Sequence, residues 1–185
     1  MGKKLVCGVG VNDIGNDSKG IRTLWNGMIS RCYSERSIID RPTYAECTVC
    51  DEWLVLSSFK KWCDDHYVDG YQLDKDIIKQ GNKEYSPENC VFVPARINTL
   101  LNSHSNKRGD YQQGVCFHKA SGRFRAQIMV NGYRKHLGLF DSEDDASSAY
   151  RIAKYKYIKD IGKECLDSGE ISYSVYDALL KYRVK

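Results

Sequence analysis

One short segment in the second half of the chain limits the possible folds most strongly. Residues 123–130, Arg-Phe-Arg-Ala-Gln-Ile-Met-Val, alternate polar and apolar side chains, which is the pattern of a β-strand with one buried face. Asn131-Gly132 follows, the strongest short hairpin signal in a sequence, and residues 133–138 can form the return strand. The sequence therefore predicts an antiparallel hairpin at this point.

Two further elements complete this hairpin. Residues 114–117 predict a preceding strand, with Ser121-Gly122 as the turn. Ser142 and Asp145 form a capping arrangement, and the following alanines and tyrosines fall on one helical face. We therefore predict an α+β protein whose second half is a three-stranded antiparallel sheet packed on one helix.

Charge is distributed unevenly along the 185 residues. The net charge of +4 is mild, but Lys and Arg outnumber Asp and Glu by five in residues 103–185, whereas acids exceed bases by one in residues 1–102. A basic surplus confined to one half favours a polyanionic partner such as a nucleic acid.

The alternation in the strand has a functional consequence. If its apolar members point toward the helix, its polar members must share the open face of the sheet. Arg pairs with guanine and Gln with adenine in the DNA major groove. The open alternative is a solvated polar face, as on any one-sided sheet. The candidate DNA-contacting residues are Arg123, Arg125, Gln127, Arg134 and His136.

The sequence of this segment resembles the AP-two/ERF (ethylene-response-factor) DNA-binding domain over nearly its full length. The resemblance rests on Gly114-Val115, residues 122–128, Asn131-Gly132, residues 137–140 and residues 143–146. It implies that strand residues, chiefly Arg and Trp, read the major groove while the helix supports the sheet. Phe124 stands where the family has Trp, and Gln113 stands where it has a basic residue.

A second informative stretch covers residues 70–102. Leu73 to Ile77 and Cys90 to Val93 read as two strands, separated by two segments rich in turn-forming residues. A helix with one apolar side is predicted to follow Pro94. The polar residues of this unit are Asp74, Asn89 and Asn98.

Residues 70–102 resemble the ββα-metal finger of HNH endonucleases of the phage and homing type. The resemblance rests on the order of the elements, which is a strand, a turn with Asn, a second strand and a helix with Asn. The match extends over roughly residues 21–102. It implies that Asp74 and Asn98 hold one divalent metal ion, for which Mg²⁺ is suited because it prefers oxygen ligands. Asn89 would order the loop, and the three residues together with Lys75 form the candidate catalytic set.

Lys75 departs from the family pattern, because the resemblance places a general-base His there. A lysine near its ordinary pKa is protonated at neutral pH and cannot take a proton from water. Three readings stay open: Lys75 contacts phosphate, another group such as His66 is the base, or the finger is no longer catalytic. Asp74, Asp76 and Asn89 could also be ordinary turn residues of a hairpin.

The eight cysteines lack the dense spacing of a secreted disulfide scaffold. We therefore expect reduced thiols in the cytoplasm, that of a bacterial host if the protein is phage-encoded, with no membrane partner. Cys47 and Cys50 have the spacing of half a zinc site and would need Cys32, Cys63 or Cys90 to complete it. Buried, inert thiols are the favoured alternative, so structural Zn²⁺ is not expected.

These observations predict four regions. Residues 1–102 form an HNH-like domain and residues 103–110 a linker, in which Lys107 and Arg108 could follow a nucleic-acid backbone. Residues 111–162 form the AP-two/ERF-like domain and residues 163–185 a helical tail.

The function predicted for this arrangement is a metal-dependent HNH-family DNA endonuclease, targeted to double-stranded DNA by the sheet-reading domain. The alternatives are a catalytically inactive DNA-binding protein, acting as a regulator or as an inhibitor of a host system, and an RNA-directed nuclease or binder. The sequence leaves the oligomeric state open.

Overall fold

The computed structural model describes residues 5–14, 20–101 and 110–184. The chain divides into two compact units, Met1–Ala95 and Arg96–Lys185, called here the first and second unit. The described residues form helices, two two-stranded sheets and one three-stranded sheet, so the predicted α+β class is confirmed. In this part of the chain, no helix is both long and apolar enough to cross a membrane.

The first unit combines short helices with two small sheets. Helix α1 spans Ile21–Tyr33, α2 spans Glu35–Asp40 and α3 spans Leu56–His66. Strands β1 (Thr48–Val49) and β3 (Glu84–Tyr85) pair in parallel, whereas β2 (Tyr71–Asp74) and β4 (Val91–Pro94) pair antiparallel. Helix α4 (Ala95–Leu101) begins at the last residue of the unit.

The core of the first unit is built on aromatic residues of α1, of α3 and of the helical turn Asp51–Leu54 that precedes α3. Trp25, Trp53 and Phe59 are fully buried, and the Trp25 indole Nε1 donates a hydrogen bond of 2.7 Å to the Trp53 carbonyl oxygen. Ile21, Trp25, Met28 and Cys32 lie at helical spacing and are the buried face of α1.

One strand prediction in the first unit is wrong in part. The predicted strand from Leu73 to Ile77 ends at Asp74, because the Asp74 carboxylate accepts the backbone N–H groups of Asp76 and Ile77 and turns the chain out of the ladder. Near the start of the chain, residues 5–11 form a tight turn in which Val6 bridges Gly10.

The second unit contains the predicted sheet and helix. Strands β5 (Val115–His118), β6 (Arg123–Val130) and β7 (Tyr133–Phe140) lie in that order and are antiparallel. The Asn-Gly turn has φ angles of +50° at Asn131 and +81° at Gly132, the left-handed conformations that a two-residue hairpin needs. The predicted hairpin is therefore confirmed.

Strand β7 contains a β-bulge. Ala126 of β6 lies opposite Gly138, but the next residue, Gln127, lies opposite His136. Leu137 is thus an extra residue on β7 without a partner across the ladder. Gly138 has a φ of +144°, which an L side chain rarely adopts and which only glycine accepts at no cost.

Helix α5 (Glu143–Asp167) backs this sheet. Ala146, Tyr150 and Ile158 are its buried residues on the sheet side, and the Ser142 hydroxyl caps the helix by accepting the Asp145 N–H at 3.1 Å. The predicted cap is therefore confirmed.

Helix α6 (Tyr173–Lys181) matches the helix expected in the C-terminal tail and packs on α5. Helix α5 continues without a break to Asp167, and the predicted boundaries at residues 102, 110 and 162 stay predictions.

Candidate nucleic-acid interface

The strands of the second unit carry charge of one sign. Residues 111–140 contain five Lys or Arg residues and no Asp or Glu, and they also contain His118 and His136. A sheet built from such a segment has a positive potential at its surface, which attracts phosphate groups.

Strand pairing decides which side chains share a face. Residues directly opposite each other in an antiparallel pair project to the same side. Ala126 and Ile128 are 0% and 5% exposed and face α5, so the intervening residues of β6 face away from it. The open face accordingly carries Arg123, Arg125, Gln127 and Met129 of β6, with their cross-strand partners His118 and Cys116 of β5 and Leu139, His136 and Arg134 of β7.

The β-bulge places two of these residues on the open face. If Leu137 paired with Gln127 in a regular ladder, His136 and Arg134 would lie on the helix side. The bulge reverses this order, so that His136 pairs with Gln127 and Arg134 with Met129.

Two arginines of the open face have partners within the unit. The Arg123 Nε donates to the Asp141 carboxylate at 2.8 Å, and both side chains are exposed, so the pair contributes little to stability. The Arg125 Nε donates to the Cys116 sulfur at 3.3 Å, which orients the guanidinium over the sheet. Gln127, Arg134 and His136 make no side-chain hydrogen bond to the other described residues.

Helix α5 holds the sheet at both ends. Tyr150 packs against the backbone of Gly114, where a Cβ atom would lie 2.0 Å from the ring. The Tyr157 hydroxyl accepts the Asn131 N–H at 3.1 Å and donates to the Asn131 Oδ1 at 2.9 Å. Helix α5 therefore fixes the position of the sheet that carries the open face.

Sequence reasoning missed Gln112, which joins the start of the sheet to the first turns of α5. Its backbone N–H donates to Glu143 at 2.7 Å, and its side chain accepts the Ser147 hydroxyl at 2.6 Å. It also missed Cys116, Met129 and Leu139 on the open face, which only the register identifies. Lys107 and Arg108 lie outside the described residues.

In the first unit, Asp74 forms a turn. Its Oδ1 accepts the N–H groups of Asp76 at 2.6 Å and of Ile77 at 2.9 Å. Burial raises the pKa of the Asp74 carboxyl above its ordinary value, against the opposing effect of these hydrogen bonds.

Lys75 is buried, with 6% of its surface exposed. Its ammonium Nζ lies 2.7 Å from the Asp76 Oδ2 and 2.7 Å from the Asn82 carbonyl oxygen, and 5.8 Å from the centre of the Tyr85 ring. Burial by itself lowers the pKa of Lys75, but the hydrogen bond and charge of Asp76 more than offset this and hold the pKa above its ordinary value. Lys75 is thus charged at neutral pH and is no general base.

The residue that ties this loop together is Asn82. Its amide Nδ2 donates to the carbonyl oxygens of Lys75 at 2.9 Å and Glu84 at 2.6 Å. Asn89 donates to the Ser86 hydroxyl at 2.9 Å, and the loop-ordering role expected for it stays a prediction. The sequence gives no sign of this role for Asn82, because the turn-forming residues around it predict only a turn.

The expected metal site was tested against the donors present. Asp74 and Asp76 are the carboxylates beside Lys75, and the Asp76 Oδ2 is already bound by the ammonium. The described ranges contain no group of three or more His, Cys, Asp or Glu side chains able to hold a metal ion. The Asp76 oxygen beside Lys75 is therefore not free to bind a second cation. Asn98 belongs to the second unit, and its pairing with Asp74 stays a prediction.

The cysteines considered for zinc lie in the core of the first unit. Cys32, Cys47, Cys63 and Cys90 are buried, and burial raises the pKa of both Cys32 and Cys90 to about 12. His66, the alternative base, stacks on Trp62 with ring centres 4.4 Å apart.

The second unit thus combines a basic open face on a three-stranded sheet with a supporting helix. The chain is similar to an AP2-like ethylene-responsive transcription factor of Arabidopsis thaliana, with 27% identity over 94 residues. The match covers 45% of this chain, and the chain spans only 22% of the relative. No protein-family model and no solved structure matches the chain.

Proposed function

We propose that the protein binds double-stranded DNA through the open face of the β5–β6–β7 sheet. The observation that carries the proposal is the register, which places Arg125, Gln127, His136 and Arg134 together on one face of an acid-free segment. These are side chains that recognise base edges and phosphates.

The dimensions of the sheet suit the major groove. Neighbouring strands lie about 4.8 Å apart, so three strands measure about 10 Å across, against a groove width of about 12 Å. The central strand would then carry Arg125 and Gln127 along the groove floor. Arg134, beside the hairpin turn, would approach the phosphate backbone at the groove edge.

The likeness to AP2-type proteins supports DNA as the partner. The strand and turn residues resemble the AP-two/ERF domain, and the relative with partial identity is named a transcription factor. Double-stranded RNA suits the site less well, because its major groove is too narrow for side chains to read.

We further propose that the first unit does not cleave DNA. Lys75 is charged and buried where the resemblance places a general base, and its ammonium already binds the Asp76 carboxylate. The plasmid assay below tests this proposal against the nuclease activity that the HNH resemblance implies.

The binding experiment uses the purified full chain and a fluorescent DNA duplex of mixed sequence, titrated at several salt concentrations. We expect log Kd to rise linearly with log salt, because phosphate contacts release counterions. Arg125→Ala should weaken binding by about 1–3 kcal/mol, or about 5- to 150-fold, if it contacts a base. Arg134→Ala should reduce the salt slope by about one if it contacts phosphate.

Arg151→Ala is the matched control. Arg151 lies on α5, where its guanidinium donates to the hydroxyls of Ser147 and Ser148, and the substitution removes the same charge. We expect its binding to equal that of the wild type. Equal weakening by all three substitutions, or tighter binding to an RNA duplex than to DNA, would contradict the proposed face.

A plasmid assay addresses cleavage. Supercoiled DNA incubated with the protein and Mg²⁺ or Mn²⁺ should stay intact. Metal-dependent nicking that disappears in Asp74→Ala and Asn98→Ala would show that the finger is a working nuclease.

A further inference from the structure

Lys75 is the single buried ionised side chain in the part of the chain that the structure describes. The DNA-binding proposal gives it no role, and its burial carries a desolvation cost that the fold must offset. The surroundings of its ammonium group indicate what it does.

The ammonium and the backbone of Lys75 both close the loop of residues 75–84. Nζ bonds the Asp76 carboxylate and the Asn82 carbonyl oxygen, each at 2.7 Å. In return, the Asn82 side chain bonds the carbonyl oxygens of Lys75 and Glu84. Residue 84 then enters β3, which pairs with β1. The polar groups of the loop thus point toward the ammonium group of Lys75.

The atoms around Nζ are those that a hard cation uses. Carboxylate oxygens and main-chain carbonyl oxygens are the protein ligands of Mg²⁺ and Ca²⁺. Here a carboxylate of Asp76 and a carbonyl of Asn82 converge on Nζ, and the nearby charge of Lys75 also acts on Asp74. The face of the Tyr85 ring, 5.8 Å away, adds a cation–π contact.

We propose that the Lys75 ammonium is the resident cation of this loop and takes the place of a divalent metal ion there. A second cation in the same cluster would be repelled by the ammonium and would find the Asp76 oxygen occupied. The order of the loop is then independent of metal, and chelators leave it unchanged. This inference does not depend on DNA binding.

The test compares melting temperatures of the full chain in EDTA, Mg²⁺, Ca²⁺ and Mn²⁺. The wild type should melt at the same temperature in all four. Lys75→Ala removes the cation and leaves the oxygens, so it should melt lower in EDTA and recover part of the loss with a divalent ion. Lys79→Ala, an exposed lysine of the same loop, should match the wild type throughout.

Mn²⁺ titration followed by electron paramagnetic resonance gives a readout on the wild type alone, should Lys75→Ala fail to fold. Little or no site-bound Mn²⁺ is expected. Stoichiometric Mn²⁺ binding that Asp76→Asn abolishes would overturn the proposal. So would a Lys75→Ala protein that melts in EDTA at the wild-type temperature.

Discussion

Gly114 lies where the sheet contacts α5, and replacing it with alanine would destabilise the second unit in two ways. Gly114 has a φ of +78°, and a Cβ atom built there would lie 2.0 Å from Cδ2 and 2.5 Å from Cε2 of Tyr150. Tyr150 is 5% exposed and cannot move aside without disturbing α5. The alanine variant therefore has an unfavourable backbone conformation and a steric clash.

The two costs can be estimated separately. A left-handed φ costs a non-glycine residue about 1–2 kcal/mol, and overpacking costs about 1–3 kcal/mol. Gly114→Ala should therefore lower the free energy of unfolding by about 2–5 kcal/mol. Gly122 is the control, because its φ is +66° and no atom lies within 4 Å of its Cβ position. Gly122→Ala should cost about 1–2 kcal/mol.

Thermal unfolding followed by circular dichroism measures the difference. For a domain the size of the second unit, each kcal/mol lowers the melting temperature by about 4–8 °C. The double variant with Tyr150→Leu should recover part of the loss caused by Gly114→Ala, since the ring is what the Cβ meets. Equal melting temperatures for Gly114→Ala and Gly122→Ala would refute the clash.

Three further predictions concern side-chain hydrogen bonds that stabilise the two units. Tyr157→Phe removes both hydrogen bonds to Asn131 and should cost about 1–2 kcal/mol, with faster amide exchange at Asn131 as the readout; unchanged exchange would count against the contact. Ser142→Ala removes the α5 cap and should cost about 1 kcal/mol in urea unfolding, whereas Ser142→Asp should not. Burial raises the pKa of Asp74, so its contribution to stability is most favourable below its unfolded-state pKa of about 4 and is lost as pH rises through its folded-state pKa. Asp74→Asn should therefore gain stability relative to the wild type as pH rises from below about 4 to neutral, and a constant difference in melting temperature would contradict this.

The sequence predicts the second unit well because its signals are local. The alternation in residues 123–130, Asn131-Gly132 and the Ser142 cap each act within a few residues, and all three are present in the structure. The bulge at Leu137 is different, because it depends on which residue of β6 faces which residue of β7.

In the first unit, even more of the structure depends on contacts between residues far apart in the sequence. The pairing of Thr48–Val49 with Glu84–Tyr85 joins residues far apart in the chain, and two-residue strands carry no periodicity. Lys75 appears in the sequence as a substituted catalytic residue. Its burial and its bond to Asn82 follow from the path of the loop, which the composition of residues 80–83 does not specify.

The unpaired Leu137 has a consequence for how this surface could change over generations. Deleting Leu137 would make Gly138 and His136 consecutive, still opposite Ala126 and Gln127, so the ladder would become regular with every other pair kept. Arg134 and His136 would stay on the open face, and only the added bend and twist of the bulge would be lost. Chains that differ in length by this one residue should therefore present the same side chains to a partner on a differently curved strand.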